Sequence, residues 1–410
     1  MASKSAKIRQ DDLNRFYTRS RIGDLLADQL GNEPPTNALD LGAGEGTLAD
    51  AVLNRWTDTT IVTVDIDASI KPNLCSRLAG RGRGGHLHHV HDVLDPALPN
   101  VLGSTETFDL AVCNPPFHRP PWKRDYARIL QDAGLADACL STADVTAEVI
   151  FFAQNLRMLR DGGRIAFIAP DGLVTGARAA SFRRAVLQQH GIDAVIQLPA
   201  HSFHDTEARC FIVIATKNAR DRADRIRLLR HEADGTLSGP LLITLGDAER
   251  RMDYDHHAAM LATGGGEITT LRKLGADVRR GSLSTTERRQ ARFPTFHTTD
   301  YASLENGEAS LGASIVPDYP DRVVVAEKGD ILIARVDRSL HTKVAIVVEG
   351  KAAITDCVYR VRLPQQHCAG AFRALRSEDG VANLLAATKG VSARLLGKAD
   401  LLDLPIIVDA

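Results

Sequence analysis

The fold of this chain is decided by the stretch NALDLGAGEGTL at residues 37–48. It begins as a strand pattern with Asp40 near its end, continues with a glycine at every second position, and leads into a helical pattern. Glycine permits the tight turn between a strand and a helix, and it lets a ligand approach the main chain. We therefore predict a ligand-binding loop in which Gly42, Ala43 and Gly44 contact the ligand.

The acidic residues around this loop distinguish it from a pyrophosphate-binding loop. The glycine spacing is G-x-G-x-G rather than G-x-G-x-x-G, and Asp40 and Glu45 flank it. Carboxylates repel a pyrophosphate, but they can hold an ammonium group such as the one at the methionine end of S-adenosylmethionine. The pattern thus favours S-adenosylmethionine as cofactor, although turn glycines and helix-capping acids occur in any α/β protein.

Two further acidic residues end later strand patterns. Asp65, followed by Ile66, lies twenty-five residues beyond Asp40, where a carboxylate can accept hydrogen bonds from two ribose hydroxyls. Asp92 follows the third strand pattern, where it could accept a hydrogen bond from an adenine amino group. Three acidic strand ends in this order favour a nucleotide-like ligand over a purely structural interpretation.

The first 220 residues alternate strand and helix patterns. Candidate strands are 37–41, 61–65, 87–91, 108–113, 164–169, 194–198 and 210–216, and candidate helices are 22–30, 48–56, 145–159 and 180–190. Strands interleaved with helices predict an α/β fold with a doubly wound, mostly parallel sheet of the Rossmann-like kind. We assign residues 1–225 to this domain.

The remainder of the chain predicts a second, smaller domain. Residues 226–270 are rich in charge and are interpreted as a junction. Residues 271–410 contain short β-branched runs at 323–326, 330–335, 344–348 and 357–363, helical patterns at 370–377 and 381–387, and an apolar tail at 401–408. This mixture of strand and helix patterns indicates an α+β domain. A second domain is also expected from the length, because 410 residues exceed the roughly 250–300 at which a single core stops growing.

Composition excludes several classes of protein. With 44% hydrophobic and 25% charged residues the chain is typical of a soluble globular protein, and a net charge of −1 excludes a highly basic nucleic-acid coat protein. No apolar run approaches the roughly 20 residues that span a membrane, and no secretory signal is visible. Six dispersed cysteines without a C-x-x-C pair argue against a disulfide framework and a thiolate zinc site. We expect a cytoplasmic protein.

Four histidines precede the third acidic strand end. They are His86, His88, His89 and His91. Strand alternation would put His89 and His91 on one face, where a metal site is conceivable. Polar residues on the edge of a strand near the surface are the better interpretation. We therefore expect no metal.

A second motif follows the fourth strand pattern. It is the tetrapeptide Asn114, Pro115, Pro116 and Phe117. An exocyclic ring amine is a poor nucleophile because its lone pair is delocalised, and the side-chain oxygen of Asn114 with the carbonyl of Pro115 could accept its two N–H groups. Phe117 could stack on the ring. The structural alternative is a stiff double-proline turn, but the first and fourth strands flank the ligand-binding switch point of such a sheet.

Together these motifs resemble the amino-group DNA methyltransferases that make N6-methyladenine, in the gamma arrangement. Thr18 lies in Phe16–Arg19, which resembles the amino-terminal motif that closes over the cofactor, with arginine in place of the usual proline. Residues 161–172 and 192–199 are similar to type I modification subunits, in which an aromatic soon after Leu-Pro stacks on the extruded base; Phe203 has that position. The resemblance covers residues 10–217.

Residues 320–408 resemble half of a type I specificity subunit, through 328–335 and 390–405. The resemblance implies a sequence-specific adenine-N6 methyltransferase that acts on double-stranded DNA, as the modification enzyme of a restriction-modification or related defence system. No nuclease-like cluster of acids and lysine stands out, so any cleavage would belong to a separately encoded endonuclease, and a host-protection role and a regulatory role are equally open. Alternatives are an RNA or protein-glutamine methyltransferase, a cytosine-N4 methyltransferase, and a DNA-binding module without activity.

Basic residues identify a candidate DNA contact. Residues 272–292 contain seven basic and two acidic residues, which predicts a patch at the domain junction that binds phosphates. The candidates are Arg279, Arg280, Arg288 and Arg289, together with Arg119, Lys123 and Arg124 in the loop after the tetrapeptide. A solvated charged face is the alternative.

Overall fold

The computed structural model describes residues 18–103, 107–199, 202–203, 209–219, 223–262, 268–312, 319–389 and 393–407. The chain divides into two compact units, Met1–Tyr254 and Asp255–Ala410. Residues 16–17 of the amino-terminal motif and residues 390–392 of the specificity-subunit resemblance lie outside the described ranges. Within these ranges, no helix has both the length and the apolar character needed to cross a membrane.

The first unit is built on a nine-stranded sheet. Its strands are β1 (Asn37–Leu41), β2 (Thr60–Asp65), β3 (His86–Val90), β4 (Phe108–Cys113), β5 (Leu159–Pro170), β6 (Gly191–Gln197), β7 (Cys210–Thr216), β8 (Arg225–His231) and β9 (Leu237–Thr244). The strand order is β3-β2-β1-β4-β5-β7-β6-β8-β9. All neighbouring pairs are parallel except those that β7 makes with β5 and β6 and the pair β8–β9.

Helices cover both faces of this sheet. They are α1 (Ser20–Asp28), α2 (Thr47–Arg55), α3 (Lys71–Leu78), α4 (Leu98–Val101), α5 (Asp125–Asp132), α6 (Ala147–Met158), α7 (Asp171–Thr175), α8 (Ala180–Gln189) and α9 (Leu245–Arg250). Side chains alternate along β1, so that Leu39 and Leu41 join one hydrophobic cluster and Ala38 joins the other. Burial on both faces explains the almost continuous apolar strands. The predicted doubly wound, mostly parallel sheet is confirmed.

The first unit extends beyond the predicted boundary at residue 225. The predicted junction contains β8 and β9, which add to the same sheet. In β8, Ile226 and Leu228 are fully buried while the arginines beside them are exposed. This alternation is a half-buried strand pattern. The high charge of residues 226–270 predicted a junction, but the first compact unit extends to Tyr254.

The second unit combines a seven-stranded sheet and two smaller sheets with helices. Its strands are β10 (Ile268–Thr270), β11 (Asp277–Arg280), β12 (Thr295–Phe296), β13 (Glu308–Leu311), β14 (Val325–Glu327), β15 (Ile331–Ala334), β16 (Val336–Asp337), β17 (Val344–Ile354), β18 (Val358–Arg362), β19 (Thr388–Lys389), β20 (Arg394–Leu396) and β21 (Pro405–Ile407). Its helices are α10 (Tyr254–Ala262, which begins at the last residue of the first unit), α11 (Thr285–Gln290), α12 (Gln365–Arg376), α13 (Glu378–Ala387) and α14 (Lys398–Leu402). The long strand β17 pairs with β12, β13, β14 and β15.

Candidate functional site

A cavity of about 290 Å³ lies at the carboxyl ends of β1 to β4. The nine residues predicted to bind a cofactor all line it: Thr18, Asp40, Gly42, Ala43, Gly44, Asp65, Ile66, Asp92 and Asn114. Pro115 and Pro116 line it too. Because β1 and β4 are adjacent and the chain order reverses between them, the cavity occupies the switch point at which such sheets bind ligands.

The glycine loop holds its position through main-chain contacts. The N–H groups of Gly42 and Ala43 donate to the carbonyl of Val64 at 2.8 and 3.1 Å. Gly42 has a φ of 77°, and a Cβ added there would lie 3.0 Å from Cε1 of Phe151 and 3.8 Å from the main-chain oxygen of Asn114. Glycine is therefore favoured both by the positive φ and by the close approach of the Phe151 ring.

Asp40 is the most unusual group in the cavity. It is 1% exposed, and neither carboxylate oxygen has a hydrogen-bond partner among the described residues. Burial raises the pKa of Asp40 to about 8; the nearby main-chain N–H of Ala49, which lies outside hydrogen-bond geometry, offsets this rise in part, and the charge of Asp65 adds to it. A buried carboxyl without a cation is costly to ionise, so a cationic ligand group is the partner that this environment favours.

The other two acids are held by main-chain donors. Asp65 accepts from the N–H of Gly44 through one oxygen and from the N–H of Asp67 through the other, both at 2.9 Å. Asp92 accepts from the N–H of Leu94 at 2.9 Å. Each carboxylate oxygen can accept more than one hydrogen bond, so both acids keep capacity for a ligand.

Buried Gln154 of α6 fixes the segment that follows Asp92. Its side-chain amide donates to the carbonyls of Val93 and Asp95, both at 2.8 Å. The position of the third acid therefore depends on a helix that follows the tetrapeptide in the sequence.

Asn114 connects the cavity to the amino-terminal motif. Its Nδ2 donates to Oγ1 of Thr18 at 2.9 Å, and Thr18 also forms an isolated antiparallel bridge with Phe203. The carbonyl of Pro116 accepts from the N–H of His118 at 3.2 Å, whereas no described donor reaches the carbonyl of Pro115. The proline carbonyl predicted to accept a substrate N–H is thus the one that the loop leaves available.

The two aromatics predicted to stack on a base belong to one hydrophobic cluster. Phe203 is a buried member with 2% exposure, and half-buried Phe117 packs against the cluster. Neither residue lines the cavity. A base could stack on Phe203 only if its ring left the core, so the stacking role stays a prediction.

The histidines of β3 make polar contacts on the edge of the sheet. Oγ1 of Thr63 is 2.8 Å from Nε2 of His86 and 2.9 Å from Nδ1 of His88, and Nε2 of His91 is 2.9 Å from a carboxylate oxygen of Asp95. Burial lowers the pKa of His86 and of His88. Among the described residues, no group of three or more His, Cys, Asp or Glu side chains is arranged to hold a metal ion.

The acidic groups around the cavity fit S-adenosylmethionine. A buried, unpartnered carboxyl suits an ammonium group, a second carboxylate suits the ribose hydroxyls, and a third suits an amino group on the purine. These would be Asp40, Asp65 and Asp92 respectively. Cofactor binding itself stays a prediction.

Comparison with known families decides the relationship. Residues 3–240 match the family model described as N-6 DNA Methylase, which is more than half of the chain. The chain belongs to the N-6 DNA methylase family. The suspected resemblance is therefore confirmed for the first unit, whereas the resemblance of the second unit to specificity subunits stays a prediction.

Individual relatives of this chain are distant. The type II methyltransferase M.BsuBI of Bacillus subtilis is 26% identical over 200 residues, which are 45% of this chain and 38% of that protein. The type I restriction enzyme MpnII methylase subunit of Mycoplasma pneumoniae (strain ATCC 29342 / M129 / Subtype 1) is 30% identical over 121 residues, which are 29% of this chain and 22% of that subunit. The matched part is thus less than half the length of either relative.

One solved structure resembles nearly the whole chain. The type IIG restriction endonuclease BpuSI matches 95% of this chain and 58% of its own, with a TM-score of 0.51 and 13% identity. At this identity the match shows a similarity of fold.

The predicted DNA contacts fall into different surroundings. Lys123 lines the cavity at the switch point, exposed Arg119 lines a separate cavity of about 290 Å³, and Arg124 is exposed at the start of α5. In the second unit three predicted arginines pair with aspartates: Arg279 with Asp277 at 3.2 Å, Arg280 with Asp356 at 2.8 Å and Arg288 with Asp300 at 2.8 Å. Arg289 is exposed and makes no ion pair with a described residue.

Sequence reasoning missed several residues that line this cavity. Among them are Phe151 on α6, and His118 and Tyr126 in the segment that follows the tetrapeptide. The helical pattern at 145–159 was recognised, but nothing in its periodicity marks one residue as facing a ligand. α5 has an amphipathic pattern in which Tyr126, Ile129 and Leu130 are buried. That spacing could have identified the helix.

Proposed function

We propose that this chain transfers a methyl group from S-adenosylmethionine to the N6 amino group of an adenine extruded from duplex DNA, at a specific sequence. The observation that carries the proposal is the cavity at the sheet switch point, where the three acidic strand ends and the glycine loop meet Asn114. Membership in the N-6 DNA methylase family supports adenine in DNA over RNA, glutamine or cytosine. An intact cofactor cavity supports an enzyme over a DNA-binding module without activity.

The proposed chemistry needs two hydrogen-bond acceptors on the chain. S-adenosylmethionine, when bound, supplies the electrophilic methyl group. The side-chain oxygen of Asn114 and the carbonyl of Pro115 accept the two N–H groups of the target amine, which localises the nitrogen lone pair toward the methyl group. The amine then loses a proton that becomes acidic on methylation, so no strong general base is required.

The proposed substrate position requires base extrusion. Removal of an adenine from the duplex costs a few kcal/mol. Stacking on Phe117 and, after its ring leaves the core, on Phe203 would offset that cost. In this proposal the second unit reads the DNA sequence.

The names of the relatives support a biological role. M.BsuBI is a type II methyltransferase, and the MpnII protein is the methylase subunit of a type I restriction enzyme. We propose that this chain is the modification enzyme of a restriction-modification system and that a separately encoded endonuclease is its partner.

The test is transfer of labelled methyl groups by the purified chain. We expect label in duplex DNA from a methylation-free host, and N6-methyladenine as the product after digestion to nucleosides and mass spectrometry. Asn114→Ala should lower the rate by at least about 100-fold, since it removes a group that acts in the transition state. Asn54→Ala, at an exposed position on α2, is the matched control and should keep the wild-type rate.

Two outcomes would contradict the proposal. One is an unchanged rate in Asn114→Ala, which would exclude the amine-polarising mechanism. The other is preferential labelling of total RNA, or of a protein substrate, over DNA in parallel assays with the same enzyme.

A further inference from the structure

Tyr126 belongs to none of the recognised motifs. It lies on α5, is 1% exposed, and lines the cofactor cavity. Its ring belongs to the hydrophobic core, while its hydroxyl is buried and has no hydrogen-bond partner among the described residues. Buried hydroxyl groups in native proteins are almost always hydrogen-bonded, so a ligand or a water molecule is expected to complete this one.

The surroundings of the hydroxyl identify which part of the cavity it faces. Burial raises the pKa of Tyr126, and the charge of Asp92 raises it further. Burial lowers the pKa of His118, and the charge of Asp92 opposes that change in part. Nδ1 of His118 is also buried and without a described partner. Tyr126, His118 and the third acidic strand end therefore surround one polar region of the cavity.

This region is held rigidly. The carbonyl of His118 accepts from the N–H of Ala147 at 2.9 Å, at the start of α6. Trp122 packs edge-to-face on Tyr126, with ring centroids 5.8 Å apart. Because the ring is fixed by the core on one side and by an aromatic contact on the other, the hydroxyl stays in place without a ligand.

The chemistry of the region matches a purine. A carboxylate accepts from an exocyclic amino group, whereas a phenol donates to a ring nitrogen, and adenine offers both kinds of group on one planar ring. We propose that Tyr126 is a specificity-determining residue at the purine end of the cofactor cavity, where its hydroxyl donates a hydrogen bond to a ring nitrogen of the bound adenine. This inference rests on the proposed function, since it assumes that the cavity binds S-adenosylmethionine.

The test compares Tyr126→Phe with a matched variant. Tyr301 of the second unit also has a buried hydroxyl without a described partner, so Tyr301→Phe makes the same chemical change at a residue that does not line the cavity. Calorimetry with S-adenosylhomocysteine on the full chain should give a dissociation constant about 5- to 10-fold higher for Tyr126→Phe, as expected for one hydrogen bond. Tyr301→Phe should bind like the wild type. The melting temperature of ligand-free Tyr126→Phe should equal or exceed that of the wild type, because the change removes an unpartnered polar group.

Adenine-modified ligands identify the contact. Analogues of S-adenosylhomocysteine in which N1, N3 or N7 is replaced by C–H should be compared on both proteins. One of them should bind the wild type about 5- to 10-fold more weakly than the parent ligand does, and should show no further loss with Tyr126→Phe.

Each outcome separates this inference from the function on which it rests. Wild-type affinity in Tyr126→Phe, or additive losses for all three analogues, would overturn the role of Tyr126 and leave methyl transfer untouched. A folded wild type that binds no S-adenosylhomocysteine would overturn both.

Discussion

Replacement of Asp40 by asparagine should stabilise the ligand-free protein while it weakens cofactor binding. The pKa of Asp40 is raised from 3.8 to about 8 because its carboxyl is buried without a counter-charge. A carboxyl with a raised pKa binds its proton more tightly in the folded state, so its contribution to stability is complete below pH 4 and is lost as the pH rises to 8. The difference in pKa sets an upper limit of about 6 kcal/mol for that loss at pH 8 and above.

The predicted change in stability is unusual, because few substitutions raise the free energy of unfolding. Urea unfolding of Asp40→Asn should give a higher free energy of unfolding than the wild type at pH 8, and the gain should vanish near pH 4. Asp330→Asn is the matched control, since Asp330 is also 1% exposed but forms hydrogen-bonded ion pairs with Arg362 at 2.7 and 2.8 Å. Loss of that pair should lower the free energy of unfolding at pH 8.

Binding of the ligand's ammonium group should be coupled to release of the proton from Asp40. At pH 7 a group with a pKa of about 8 is only about one-tenth ionised, so an ammonium ligand must displace most of a proton when it binds beside Asp40. Calorimetry in buffers of different ionisation enthalpy should detect proton release with S-adenosylhomocysteine. It should detect none with methylthioadenosine, which lacks the ammonium group. Asp40→Asn should bind S-adenosylhomocysteine about 10- to 100-fold more weakly, as expected for loss of a charge-assisted hydrogen bond.

The reasoning would be refuted by equal proton release in the wild type and Asp40→Asn. Equal release would assign the proton to the ligand or to another residue. An Asp40→Asn variant that is less stable than the wild type at pH 8 would show that the carboxyl has a compensating partner.

Three further predictions concern other parts of the chain. Thr18→Val should lower kcat at least about 10-fold, because it removes the acceptor that positions Asn114, the proposed catalytic asparagine, and Thr18→Ser should restore most of the rate. Gly46→Ala should lower the free energy of unfolding by about 2–4 kcal/mol, since its φ is 80° and a Cβ would lie 2.3 Å from a leucine side chain of α3; Gly80→Ala, with a φ of 73° and no atom within 4 Å, should cost about 1 kcal/mol in the same urea titration. Arg289→Ala should weaken DNA binding in fluorescence anisotropy and reduce the salt-dependence slope by about 1, whereas Arg280→Ala, whose guanidinium pairs with Asp356, should change the slope less; an equal effect of the two variants would contradict the importance of the ion pair.

The sequence predicted the elements of the first unit that carry local signals. Three strand patterns, 37–41, 108–113 and 210–216, coincide with β1, β4 and β7. The alternation of strands and helices predicts a doubly wound strand order, and this order creates a switch point. The nine residues assigned to the cofactor meet in one cavity at that point. Residues placed by long-range packing gave no such signal. Tyr126 reaches the cavity from a separate helix, and Phe203 is buried by contacts with segments distant in sequence.

Charge counted along the sequence overstates the basic patch of the second unit. Of the seven basic residues in 272–292, four face an aspartate within 4 Å, namely Arg272, Arg279, Arg280 and Arg288. The partners of Arg272, Arg280 and Arg288 are Asp403, Asp356 and Asp300, which lie outside the counted segment. Exposed ion pairs contribute at most about 1 kcal/mol each, so a DNA phosphate can replace the aspartate. Because the arginine must first lose its aspartate, it gains less free energy from the phosphate than an arginine without such a partner would gain. In the proposed complex with DNA, affinity should therefore depend more on the basic residues without an aspartate than on the net charge of the segment.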